Sequence, residues 1–212
     1  MFIAAICLLS ACHKDESAVA EKIITLQPSA TDGKDAAIFN CVACGYDIRN
    51  FGTIVEMDAL ATTNNYQISN VRSLIYFDLS TISPNATIVS AKLSLYAYNS
   101  PANGAHSVLS GSNASFLQRV TSTWDESTVT WDTQPTTTDV NQVLLPESTN
   151  NTEDYTDIDI TTLLKDIIKN PSQNFGLMLK LQSEIAYRGL VFASSDNADA
   201  TKHPKLVVDY KQ

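Results

Sequence analysis

Charge is what this chain of 212 residues has little of: Asp, Glu, Lys and Arg together make up 17%, well below the usual quarter. Ser, Thr and Asn take their place, which suits many short strands joined by polar turns better than long surface helices. Positive charge is scarcer still. Fourteen Lys and Arg face 23 Asp and Glu, for a net charge of −9, and such a surface repels a phosphate backbone, which argues against nucleic acid as a partner. No interior apolar run approaches the length needed to cross a bilayer. Histidines number three, and His13, His106 and His203 lack the Ser or Cys context of a catalytic triad. No Gly-x-Ser-x-Gly elbow occurs either. With 23 acids a close carboxylate pair arises by chance, so pairing alone does not argue for glycoside hydrolysis, and no enzymatic activity is expected. What is abundant is apolar side chain, at 44%, enough for one domain with a sizeable core.

The first residues read as an address. Phe2 to Leu9 form a short apolar run of the signal-peptide kind, and Leu9-Ser10-Ala11-Cys12 looks like a lipobox. Residues 1–11 are therefore expected to be a lipoprotein signal peptide, with Cys12 lipidated. The His13-Lys14-Asp15-Glu16-Ser17 that follows resembles the surface-export signal of a class of bacterial lipoproteins. Residues 12–21 are then a tether, and the domain proper spans 22–212. The expected location is secreted, on the outer membrane through the lipid anchor, facing the outside.

Cys7 falls in the signal segment, which leaves Cys41 and Cys44. Outside the inner membrane the pair is expected as a disulfide. A zinc site would need ligands that the scattered histidines do not supply. A redox motif would open a helix after a strand, whereas these cysteines sit among Asn40, Gly45 and Asp47 in loop chemistry.

Period-two segments recur along the mature chain. Ala91, Leu93, Leu95 and Ala97 alternate with Lys92, Ser94, Tyr96 and Tyr98, and similar alternation marks 72–79, 157–160, 177–182 and 206–210. Further strands are expected at 22–26, 53–57, 115–121, 128–131 and 188–194. Thr161 to Lys169 instead puts Leu163, Leu164, Ile167 and Ile168 on one helical face, with Thr161 as the N-cap and Asn170-Pro171 as the stop. The polar stretch 133–153 reads as a surface excursion. The architecture expected is all-β: a jelly-roll-type β-sandwich of antiparallel strands with one short helix, its terminal strands close together.

A set of strings now invites comparison. They are Gly33-Lys34-Asp35-Ala36, Asn50-Phe51-Gly52, Arg72 to Leu79, Ile88 to Tyr96, Val120 to Trp131 with its Trp-Asp-Glu-Ser-Thr-Val-Thr-Trp core, Phe175-Gly176-Leu177, Arg188 to Ser195 and Pro204 to Val208. In this order the chain resembles the DNRLRE-type domain grouped with carbohydrate-binding module family 96, over about residues 22–211. The resemblance implies a jelly roll on secreted and surface proteins, some of which bind acidic polysaccharide such as alginate. The Cys41–Cys44 loop departs from the family's usual Asn/Gly turn.

A sugar-binding sandwich needs aromatic faces and hydrogen-bond donors, basic ones for uronates. Candidates are Tyr96 and Tyr98 with Lys92 on their face, Arg119, the Tyr187-Arg188 pair, and Trp124, placed before a charged turn and expected to be exposed. Trp131 is expected in the core. For structural calcium, Asp32, Asp35 and Asp209 would converge if the terminal strands pair. The leading expectation is thus a non-catalytic, cell-surface module capturing polysaccharide, acidic kinds included. The alternatives are a structural or adhesive module whose partner is an envelope protein, and a polysaccharide lyase or hydrolase.

Overall fold

The computed structural model describes residues 20–212; the expected signal segment, Cys12 and the expected tether up to residue 19 lie outside the described residues. The chain forms β1 (Glu21–Leu26), β2 (Asp35–Asn40), β3 (Glu56–Asn64), β4 (Gln67–Ile75), β5 (Thr87–Leu95) and β6 (Ser107–Val108). It continues through β7 (Ser115–Val120), β8 (Thr137–Leu145), β9 (Tyr155–Asp159), helix α1 (Thr161–Lys169), β10 (Leu177–Leu181), β11 (Arg188–Ala193) and β12 (Lys205–Lys211). Every ladder is antiparallel. One sheet has the order β1-β12-β5-β9, the other β6-β11-β3-β4-β10-β7-β8 with β2 added to β4. This is the expected all-β sandwich, and its terminal strands do pair, Glu21 opposite Lys211 and Leu26 opposite Leu206.

Alternation builds the core. Ala91, Leu93 and Leu95 of β5, with Leu206 and Val208 of β12, meet Met57, Ala59, Leu190, Phe192, Leu117, Leu177 and Leu179 from the other sheet. Each fully buried leucine contributes about 1.5–3 kcal/mol. Helix α1 adds Leu163, Leu164, Ile167 and Ile168 to this core. Its boundary residue is Ile160 rather than Thr161, because the Thr161 hydroxyl is already engaged, accepting from the Ala91 N–H at 2.9 Å.

The larger sheet forks at β4. Along Gln67–Val71, β4 pairs with β3; along Ser73–Ile75 it pairs with β10. At the fork the Ser73 hydroxyl accepts from the Asp58 N–H (2.7 Å) and donates to its carbonyl (2.9 Å), so a side chain satisfies backbone groups that a strand would otherwise meet. β2 runs along β4 and is buried on both sides. Ala36 and Ile38 join Leu74, Met178, Val120, Trp124 and Val129, while Ala37 and Phe39 join Leu60 and Val71, with Tyr46, Phe51 and Ile54 beside them.

Some expected strands are placed differently. No strand forms at 128–131, where Val129 N–H bonds back to Asp125 C=O at 2.8 Å in a turn. The polar excursion 133–153 instead contains β8, an edge strand on β7 whose outward residues meet water and so need not be apolar. The strand expected at 53–57 is the start of β3, and the one expected at 72–79 ends at Ile75. Cys41 and Cys44 are joined by a disulfide across one 3-10 turn.

Candidate functional site

On the outer face of β4, β10, β7 and β8 the residues that alternate with the core form a polar groove of about 370 Å³. Lys180 alternates with Leu179 and Leu181, and Phe116 and Gln118 flank Leu117; the partners with their backs to the core thus set this face. Phe116 lies opposite Lys180 in the ladder. The Gln118 side chain donates to Gln142 Oε1 (2.7 Å) and accepts from the Thr137 hydroxyl (2.8 Å). Arg72 grips Glu184 with two parallel bonds, at 2.7 and 3.0 Å, donates to Gln134 Oε1 at 2.8 Å, and lies 4.4 Å from the Trp131 ring centre. Asp139 completes the rim.

Electrostatically the groove is uneven. Glu184 already answers Arg72, whereas Lys180 makes no ion pair among the described residues. Partial burial pushes the Lys180 ammonium below its ordinary value and the neighbouring Arg72 charge adds to that, while the Glu184 and Asp139 carboxylates pull the other way. An unpaired, partly desolvated ammonium beside an aromatic ring can take an anionic group.

The residues singled out in the sequence are scattered. Lys92 pairs with Asp159 at 2.9 Å on the smaller sheet. Beyond Leu95 the chain crosses toward β11, where Ala193 N–H bonds the Tyr96 carbonyl and Tyr98 N–H bonds Val191 C=O; Tyr96 meets Lys205, 5.9 Å from its ring centre. Arg119 stands between Leu177 and Thr138 in β7, its Nε buried without a partner. Tyr187 and Arg188 lie at the β11 end near β6: the Tyr187 hydroxyl meets Thr63 Oγ1, and the Arg188 guanidinium is taken up by Ser110. None of these six lines the groove.

Two tryptophans exchange roles relative to expectation. Trp124 is buried rather than exposed: its Nε1–H donates to Phe175 C=O at 2.8 Å, and Lys34 Nζ lies 4.1 Å from its ring centre while donating to its carbonyl. Trp131, expected in the core, packs only partly against it and supports Arg72 beside the groove. The acids Asp32, Asp35 and Asp209 do not converge. Asp32 closes the Ser29 turn, accepting from its N–H at 2.7 Å. Asp35 belongs to β2 in the forked sheet and Asp209 to β12 in the other, so pairing of the terminal strands does not bring them together. No group of three or more His, Cys, Asp or Glu side chains close enough to share a metal occurs among the described residues.

The strings that set this chain apart knit the scaffold. Asp35 N–H donates to Glu126 Oε1 at 2.8 Å, and Asn50 Nδ2 donates to the carbonyls of Glu126 and Val129 at 2.7 and 2.9 Å. Gly52 passes so close to the Glu126 carbonyl that a β-carbon has no room. Residues 41–210 match the profile of carbohydrate-binding module family 96. The chain belongs to that family. No curated protein matches it in sequence. For this family-96 chain, the Trp-Asp-Glu string belongs to the scaffold, and the groove residues lie outside it. Lys180 and Phe116 gave one signal in the sequence: each is a polar or aromatic residue in phase opposite to a leucine row. Arg72 gave none, because its place depends on the fork.

Proposed function

We propose that this chain is a non-catalytic carbohydrate-binding module that holds polysaccharide across the outer face of β4, β10, β7 and β8. Family membership supports the ligand class, and the observation that carries the location is the free Lys180 ammonium beside Phe116 in an open groove of about 370 Å³. The Phe116 ring offers a face for sugar C–H groups. Gln142, its oxygen held by Gln118, offers its amide N–H groups to hydroxyls. A uronate carboxylate goes to Lys180, since Arg72 is already held by Glu184. Acidic polysaccharide is therefore the preferred ligand. The module acts outside the cell from an acyl anchor on Cys12, keeping glycan near partner enzymes or transporters; the support for this is the Leu9-Ser10-Ala11-Cys12 string and the charged residues after it.

Affinity electrophoresis and calorimetry against polyuronates and neutral glucans test the reading. Lys180→Ala is expected to weaken polyuronate binding about tenfold or more, the loss of one charge-assisted hydrogen bond, and to flatten its salt dependence. No retention on any acidic or neutral polysaccharide overturns the function, and unchanged binding by Lys180→Ala overturns the site. Radiolabelled palmitate incorporation that persists in Cys12→Ser would remove the anchor.

A further inference from the structure

A second concentration of polar chemistry lies away from the groove, on the β3 arm of the fork. Glu56 and Asp58 are two residues apart on one strand and so point to the same face. They are 2% and 0% exposed. No Lys, Arg or His forms an ion pair with either among the described residues. One amide serves both: Asn103 Nδ2 lies 2.5 Å from Glu56 Oε1 and 2.9 Å from Asp58 Oδ2, and the Ser100 hydroxyl lies within hydrogen-bond reach of Glu56. Each carboxyl's other oxygen, Glu56 Oε2 and Asp58 Oδ1, is buried with no hydrogen-bond partner. Two buried carboxyls met by one shared amide and one hydroxyl, with no cation beside them, leave a deficit of positive charge that a native interior does not normally carry.

The surroundings say what fills that deficit. Asn103 sits in the Ser100–Gly104 turn, which is closed by reciprocal backbone bonds of 2.8 and 2.9 Å and by the Ser100 hydroxyl accepting from the Ala102 and Asn103 N–H groups. Glu56 and Asn103 both line a pocket of about 460 Å³ that also carries Ser69, Thr62, Thr63 and Asn64. Every polar side chain here is an oxygen or amide donor, with no sulfur or imidazole, and the pocket gives an entry path and room for water. Oxygen ligands in a partly hydrated, flexible setting select calcium over a transition metal.

We infer that Glu56 and Asp58, with Asn103 turning its amide to present Oδ1, form a site for one calcium ion at the inner end of this pocket. The ion ties the Ser100–Gly104 turn to β3 and satisfies the two orphaned carboxylate oxygens at once. Without an ion, burial pushes both carboxyls above their ordinary values, Asp58 further because the Glu56 charge adds to it.

Calcium titration of chelator-treated protein at neutral pH, followed by calorimetry and by thermal melting, tests the site. The expected result is one bound Ca²⁺ per chain and a higher melting temperature, with magnesium markedly less effective. Glu56→Gln is expected to weaken calcium binding at least tenfold. Asn103→Ala, which changes a turn residue and leaves the strand intact, serves as the second variant and is expected to weaken it severalfold. No calcium binding or stabilisation of the native chain overturns the inference. So does a response that is equal in Glu56→Gln, which would mark adventitious binding to surface acids. If the carboxyls hold a shared proton instead, calcium leaves the melting temperature unchanged and Glu56→Gln raises it.

Discussion

Asp35→Asn should make the protein more stable at alkaline pH, although it removes a hydrogen-bonded carboxylate. Asp35 is 2% exposed, and burial pushes its carboxyl from the ordinary 3.8 up to about 6, with the Ser195 side chain and N–H pulling the other way and Asp196 and Glu126 adding negative charge. The folded state therefore binds this proton more tightly than the unfolded chain. The resulting stability is fully present below pH 3.8 and is lost as pH rises through about 6. At about 1.4 kcal/mol per pH unit, the gap corresponds to about 3 kcal/mol. Asn cannot ionise, yet its amide oxygen can still accept from Ser195 N–H, a bond of 2.9 Å in the native chain. Replacing a charged acceptor by a neutral one costs about 1 kcal/mol, which leaves a net gain of about 2 kcal/mol at pH 8. Urea denaturation of both proteins at half-unit steps from pH 4 to 8 reads the difference, because titrating groups away from Asp35, Glu126 and Asp196 cancel between them. A stability difference that stays flat across that range refutes the reasoning.

Two further changes probe the scaffold. Gly176 adopts φ of +84°, and a methyl group there would fall against the Ile75 carbonyl oxygen, so Gly176→Ala should cost roughly 2–5 kcal/mol, the sum of left-handed strain and overpacking, visible as a lower urea midpoint. Replacing Cys41 and Cys44 together by Ala opens a four-residue loop and should cost about 2 kcal/mol on the chain-entropy account; a melting temperature that drops far more would mean that the loop holds up the Phe39, Tyr46 and Phe51 cluster.

Strands with one buried and one wet face were legible from alternation: β5, β10 and β12 announce themselves through their leucine and valine rows. β2 did not. Asp35 to Phe39 is buried on both sides, and a strand between two apolar clusters has no reason to alternate. β8 was hidden for the opposite reason: only Leu145 of its nine residues is buried. The groove was illegible because it draws on four strands whose order follows from the fork, and the most specific string, Trp124 to Trp131, pointed to packing against Lys34, Asp35 and Asn50 rather than to a ligand. The Glu56–Asp58 pair was obscured because acids two apart in a strand read as an exposed row until the Ser100–Gly104 turn is seen to cover them.

The hydroxyl of Ser73 has a consequence for how such modules diversify. By closing the β3 backbone at the branch point, it lets one arm of the sheet keep its neighbours while the other presents a separate surface. Substitutions at Phe116, Gln142 or Lys180 change that surface without disturbing the ladder between β3 and β11. One scaffold can then be retuned to a new ligand at a cost confined to a single limb.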